Sequence, residues 1–360
     1  MKSQNLAHIP ALDHLRLLAA LLVLVFHTFH QYFGHWQPAP YAAALGLVTE
    51  GHTGVALFFV LSGFLFMTIA LQSEGIAYGA FMRNRFLRIF PLFLFFFFIA
   101  ISVVRDKFSA TDVLYVFFSN IGKPPTSEHF ITGAAWTISV EFTFYLVFPF
   151  LARFVRAEGA VYLLRLLVLM ALVKLAAWGV AERATLVFYS TLVGRFDQFL
   201  WGMLAALCWQ RYASVLQRHG RWLLVLALAL LWLASTVQAR YASYFSPEPR
   251  QAFWVFWGTA EALVWAGVVL AYLGAGIAWP RPLARWLERG GAWSYSLYLW
   301  HGLVLFVLHR AVGGWMPLGS VAANAVLHFA LVLPLSLAVA WLSFITIEQP
   351  FLRLRGRYVQ

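Results

Sequence analysis

Ten segments of this chain are each about as long as a bilayer core is thick, and each is apolar almost throughout. A helix needs roughly 20 apolar residues to cross that core. The segments are 11–31, 53–71, 89–104, 134–152, 161–180, 188–209, 222–238, 253–273, 293–310 and 322–346. Hydrocarbon offers backbone amides no partner, and a helix satisfies them within the segment itself. The expected fold is therefore all-α: a polytopic membrane protein of about ten transmembrane helices. Residues 1–360 read as a single integral membrane domain (core 11–351) with no soluble module attached. Segment 105–133 is less regular; its apolar run from Val113 to Phe118 suits a re-entrant or interfacial helix.

Charge is scarce. Only 11% of residues carry it and 62% are hydrophobic, against about 25% charged in a typical soluble domain. That excludes a disordered chain, an ordinary soluble enzyme and a nucleic-acid binder built on surface charge. The net charge is nevertheless +12. In a membrane protein such an excess collects in cytoplasmic loops. Of the 26 Lys and Arg residues, 16 lie towards the side of the N-terminus and seven towards the opposite side. Arg165, Lys174 and Arg195 fall within spans. The asymmetry predicts N-in and C-in topology, in the inner (cytoplasmic) membrane of a cell. Asp13 and Arg16 at the start of the first span and two histidines at its end argue that it is retained rather than cleaved as a signal peptide. The single cysteine, Cys208, forms no intrachain disulfide and reads as packing.

Ionisable groups inside a bilayer are costly and usually mark function or a paired contact. Arg16 and His27 are eleven residues apart, three helical turns plus about 20°, so they share a face about 16–17 Å apart along the axis. A snorkelling arginine and a packed histidine would satisfy the same spacing. In the loop AFMRNRFLRIFP, Arg85 and Arg88 share a helical face, and a guanidinium pair can bind phosphate bidentately; alone, the motif also suits a topological anchor. In WTISVEFTFYLVFP, Glu141 sits close in depth to His27, with Tyr145 as its i+4 neighbour. A buried carboxylate needs a partner. Glu141 with His27 would make a base–orienter pair; a structural pairing with Lys174 or Arg195 is the competing account. GRFDQFLWG places Arg195, Asp197 and Gln198 in one span, where Arg195 and Asp197 cannot face each other and each needs a partner elsewhere. SYSLYLWH puts Ser294, Tyr298 and His301 at i, i+4, i+7 on one face. Glu348 in IEQPF stands at the cytoplasmic end of the last span, with Pro350 expected to end the helix. No metal-ligand spacing, phosphate-binding glycine loop or nucleophile elbow is found, and no metal is expected.

The motifs ALDHLRLLAALLVLVFH, GVALFFVLSGF, RNRFLRIFPL, WTISVEFTFYLVFP, GRFDQFLWG, SYSLYLWHG and IEQPF, in that order, resemble the acyltransferase 3 family of integral membrane acyltransferases. The resemblance runs from about residue 11 to residue 351. It implies transfer of an acyl group, most often acetyl from acetyl-CoA, to a hydroxyl of a cell-surface glycan or lipid-linked saccharide precursor. The family's Arg-x10-His motif matches Arg16 and His27, its Arg-x-x-Arg motif Arg85 and Arg88, and its acidic position Glu141. The chain resembles members without a fused SGNH domain.

Spacing and resemblance together give a division of labour. Arg16, Arg85 and Arg88 hold the phosphates of an acyl-CoA, and His27, oriented by Glu141, serves as base on the acceptor hydroxyl. An acyl-imidazole intermediate is the rival route. Arg195, Asp197, Gln198, Ser294, Tyr298 and His301 are the candidate acceptor residues, with Gln198, Ser294 or Tyr298 able to donate to the oxyanion. The expected partners are acyl-CoA, a saccharide acceptor and membrane lipid, with no nucleic acid. A transporter of a saccharide or small metabolite would also use intramembrane polar residues and is the alternative reading.

Overall fold

The computed structural model describes residues 5–32, 43–103, 135–241, 250–312, 315 and 317–360. The stretch 105–133, expected to hold a short membrane segment, lies outside them. The described residues contain no strand, only one isolated bridge between Ile76 and Val359. Besides the short helical turns Ala43–Leu45 and Gly46–Thr49, the helices in chain order are α1 (Pro10–Tyr32), α2 (Thr53–Leu71), α3 (Tyr78–Val103), α4 (Ala135–Glu158), α5 (Ala160–Val180), α6 (Ala184–Ser190), α7 (Leu192–Tyr241), α8 (Phe253–Ala275), α9 (Arg281–Val312) and α10 (Val321–Ser343). A π-helical turn, Phe344–Glu348, then leads into α11 (Gln349–Arg353). Eight of the helical stretches among the described residues are long and apolar enough to cross a membrane. This is a multi-pass membrane protein.

Four elements differ from the sequence expectation, each for a local reason. The segments 188–209 and 222–238 are not separated by a loop. They are the two helical arms of α7, which meet directly at a kink at Tyr212 (φ −122°, ψ 18°). Between them lie Gln, Arg, Ala and Leu, good helix formers, with no proline to release the backbone. Tyr189, just before α7, and Gln238, near its end, both contact His52, so the second arm runs back beside the first, and each arm is long enough to cross a roughly 30 Å hydrocarbon core. The RNRFLRIFP motif is also helix rather than loop, because α3 starts at Tyr78 and carries Pro91 inside it. α9 begins at Arg281, with Pro282 in its first turn where no amide partner is needed. Pro350 does not end the chain's helical path. The wider π turn precedes it, and Pro350 stands at the start of α11.

α2 is the most enclosed span and α5 the most lipid-facing: 78% and 11% of their apolar windows are buried. α2 crosses α7 through glycines, for a Cβ on Gly63 would run into the Phe199 carbonyl and one on Gly202 into the Val60 carbonyl. Small residues at such crossings let two backbones approach where lipid supplies no hydrophobic drive. α1 packs mainly on α9 and α2. It turns Leu12, Leu15, Ala19, Leu22, Val23 and Phe26 inward, an i, i+3, i+7 stripe. The Tyr358 amide donates to Asn5 Oδ1 at 2.8 Å, so the two ends of the chain meet at one face of the bundle. We call this the terminal face.

Candidate functional site

A cavity of about 540 Å³ opens among α1, α2, α3, α4, α9 and the C-terminal turn. Its wall changes character with depth. Near the terminal face it is cationic, lined by Arg16, Arg85, Arg88 and Arg355. Deeper, it is lined by Ser62, Glu141, Tyr145, Ser294 and Tyr298 among apolar side chains such as Phe58.

The helical spacing of RNRFLRIFP brings Arg85 and Arg88 to this wall, but their surroundings differ. Arg88 Nη1 donates to Glu348 Oε2 at 2.9 Å, and Glu348 also accepts from Ser296. The π turn aims that carboxylate back into the bundle. Arg85 has no carboxylate partner among the described residues, and its buried Nε has no hydrogen-bond partner there. Its guanidinium instead lies over the rings of Phe66 (4.9 Å), Phe81 (5.5 Å), Tyr145 (5.9 Å) and Tyr358 (5.9 Å). Arg16 is paired within its own helix, with Asp13 Oδ1 at 2.8 Å.

Glu141 does not meet His27. Its Oε1 accepts from Ser62 Oγ at 2.9 Å and from Tyr145 OH at 2.5 Å. Nor does it pair with Lys174 or Arg195, which have partners of their own. The imidazole of His27 is held by a different residue. His27 Nδ1 lies 2.8 Å from the Val23 carbonyl and 3.2 Å from His301 Nε2. A carbonyl only accepts, so Nδ1 carries the proton and Nε2 of the neutral ring carries the lone pair. His301 Nδ1 lies 3.2 Å from the Leu297 carbonyl, which leaves its Nε2 as the acceptor facing His27. Neither histidine lines the cavity. Tyr298 does, and its ring is 5.8 Å from that of His301, so this ring stands between the cavity and the histidine pair.

Arg195, Asp197 and Gln198 are elsewhere, in a buried network between α5, α7 and α8. Lys174 Nζ is 2.6 Å from Asp197 Oδ2, with side chains 1% and 2% exposed, and Thr259 donates to the same carboxylate. Arg195 Nη1 reaches Glu261 Oε2 at 3.1 Å, and Gln198 Nε2 donates to that oxygen at 3.1 Å. Lys174 is one of only two buried residues on the lipid-facing α5. The network has two cations and two anions and lies outside the cavity lining. Its arithmetic yields a prediction. Lys174→Met alone strands a buried carboxylate and is expected to cost about 3–5 kcal/mol, whereas Lys174→Met with Asp197→Leu regains most of it. Thermal denaturation of both variants in detergent checks this.

Sequence reasoning missed His301 as the partner of His27, the Arg88–Glu348 pair, and Arg355. His301 was visible as a polar residue on one face with Tyr298. Arg355 gave no signal beyond a basic tail.

A helical membrane bundle with a cavity that is cationic at its mouth and backed by a histidine pair defines the class of protein at hand. The chain belongs to the acyltransferase 3 family and is an acyltransferase: residues 9–345 match that family's acyltransferase domain. It is 30% identical over 390 residues to nodulation protein 10 of Rhizobium leguminosarum bv. viciae, covering 96% of this chain and 94% of that one. It is 27% identical over 388 residues to acyltransferase MdmB of Streptomyces mycarofaciens, covering 98% and 94%. It is 25% identical over 332 residues to the peptidoglycan O-acetyltransferase OatA of Listeria monocytogenes serovar 1/2a, covering 82% of this chain and 49% of that one. No solved structure matches the chain.

Proposed function

We propose that this enzyme is an O-acyltransferase that moves an acyl group, acetyl by default, from acyl-CoA to a hydroxyl of a cell-envelope saccharide or its lipid-linked precursor. The observation that carries the reading is the polarity of the cavity: guanidiniums at one end, and the His27–His301 pair beyond Tyr298 at the other. The phosphates of CoA are polyanionic and its thioester lies at the end of a long apolar-compatible arm. Arg16 and His27 are separated by about 16–17 Å along α1, a length such an arm can span.

The chain's basic residues favour placing the terminal face in the cytoplasm of the inner membrane, where acyl-CoA is found. Ends that meet at one face require an even number of crossings. Ten follow if α3 spans and each arm of α7 crosses once, with Arg211, Arg218 and Arg221 near the kink at Tyr212.

In the reaction, His27 Nε2 takes the proton of the acceptor hydroxyl as its oxygen attacks the thioester carbonyl. The tetrahedral oxyanion then collapses, the C–S bond breaks, and the proton passes from His27 to the CoA thiolate. His301 Nε2 and the Val23 carbonyl both accept from Nδ1–H, so they fix the ring and stabilise it when Nε2 is protonated. Glu141, expected to do this, serves the cavity wall instead: it holds Tyr145 against Arg85. Tyr298 is the side chain best placed to donate to the oxyanion.

The test is transfer itself. Purified protein given acetyl-CoA labelled in the acetyl group and a saccharide acceptor is expected to place the label in base-labile ester linkage on the saccharide. Label that stays on CoA across a panel of envelope saccharides would overturn the reading.

A further inference from the structure

Arg353, Arg355 and Arg357 occupy alternate positions of the C-terminal tail and do not share one environment. Arg353 and Arg357 are exposed, while Arg355 turns inward and lines the cavity. The tail is fixed to the segment that opens α3. Asn84 Nδ2 donates to the Gly356 carbonyl at 2.6 Å, and Asn84 Oδ1 accepts from the Gly356 amide at 3.1 Å. The Ala77 amide donates to the Tyr358 carbonyl at 2.9 Å and the Gln360 amide to the Gly75 carbonyl at 3.0 Å. With the Tyr358–Asn5 bond, these hold Arg355 from both sides. A topological anchor acts through charge and has no use for such fixing.

Glu288 also lines the cavity, but the charged groups that act on Arg355 are the guanidiniums of Arg88, Arg85 and Arg16. Glu348 neutralises Arg88 and Asp13 neutralises Arg16, but neither Arg85 nor Arg355 has a carboxylate partner among the described residues. Among the described residues the one side-chain hydrogen bond of Arg355 runs from Nε to the Leu352 carbonyl at 3.3 Å in its own turn. Burial, and then the guanidiniums of Arg88 and Arg85, hold Arg355 down to about 10. Two guanidiniums without counter-ions on one cavity repel each other until an anion with several oxygens bridges them.

We propose that Arg355 is a phosphate-binding residue of the donor site, so that the C-terminal tail forms one wall of that site. With Arg85 it holds phosphate oxygens of the nucleotide half of the acyl donor. Asn84, clamped on Gly356, is the positioning residue that sets where Arg355 points. The inference rests on the acyl-CoA reading above.

The experiment compares wild type, Arg355→Ala, Arg355→Gln and Arg357→Ala for the KM of acetyl-CoA and for inhibition by adenosine 3′,5′-bisphosphate. Loss of a charge-assisted phosphate contact is expected to raise both the KM and the inhibition constant about 10–100-fold in Arg355→Ala, with kcat nearly unchanged. Arg357→Ala removes the same charge from the same tail and is expected to behave as wild type. Arg355→Gln keeps the side-chain stem and is the variant read if alanine lowers the yield of folded protein. Equal KM values in wild type and the Arg355 variants would overturn the proposal, as would an Arg357→Ala effect as large. If instead wild type turns over no acetyl-CoA and the bisphosphate does not bind, the acyl-CoA reading itself has failed.

Discussion

His27→Ala is expected to lower kcat by about 10²–10⁴-fold, the range over which a positioned general base acts. Donor KM and folding are expected to stay close to wild type. The reason lies in what His27 touches. Its Nδ1 is engaged by the Val23 carbonyl and His301, and it lies away from the guanidinium mouth, so its removal leaves the donor contacts in place. His301→Phe keeps the volume and removes the acceptor of Nδ1–H. It is expected to lower kcat less than His27→Ala and to leave donor KM alone, which is how an orienting residue behaves. Glu141→Gln separates the two accounts of the acid. Because Glu141 binds Ser62 and Tyr145 rather than His27, its replacement is expected to appear in donor KM more than in kcat. A kcat loss as large as that of His27→Ala would return Glu141 to the imidazole. Steady-state kinetics with purified variants read all three.

Arg85→Ala and Arg88→Ala are expected to fail in different ways, although the motif presents them as a pair. Arg85 has no carboxylate partner among the described residues, so deleting it strands no buried charge. The variant is expected to fold, with donor KM raised about 10–100-fold for a lost charge-assisted contact. Deleting Arg88 leaves Glu348, whose side chain is 1% exposed, with only the Ser296 hydroxyl. Stranding a buried charge costs about 3 kcal/mol or more, so Arg88→Ala is expected to lose folded protein first. Glu348→Gln in the same chain is expected to restore folding but not donor affinity. Melting temperature and KM, measured on the two single variants and the double, check this. Equal melting temperatures for Arg85→Ala and Arg88→Ala would contradict it.

What could be read in the sequence was what a single helix decides. Membrane residence followed from the apolar runs. The common face of Arg85 and Arg88, and that of Ser294 and Tyr298, followed from the 3.6-residue period. The need of Arg195 and Asp197 for separate partners followed from their two-residue spacing, and the structure supplies Glu261 and Lys174. What could not be read was azimuth between helices. Glu141 and His27 lie at similar depth on α4 and α1, and depth alone suggested that they meet. The rotation of α4 turns Glu141 toward Ser62, and α9 brings in His301 from 274 residues away. Arg355 was hidden for another reason. Three alternating arginines at a chain end look like anchors until Asn84 is seen gripping the glycine beside one of them. The direct join of the two arms of α7 escaped because polar residues between two apolar runs look like a loop, whereas the helical path there is interrupted only at Tyr212.

The central claim is that acyl-CoA enters from the terminal face and that its acyl group passes directly to an acceptor hydroxyl beside His27, which takes the hydroxyl proton. Sealed vesicles holding the enzyme in one orientation, with a saccharide acceptor on the side opposite the termini, test it through release of free CoA thiol. Release is expected only when acetyl-CoA is supplied on the side of the termini, only with acceptor present, and not from the His27→Ala enzyme. Thiol release of equal rate from either side, or undiminished in His27→Ala, would contradict the account.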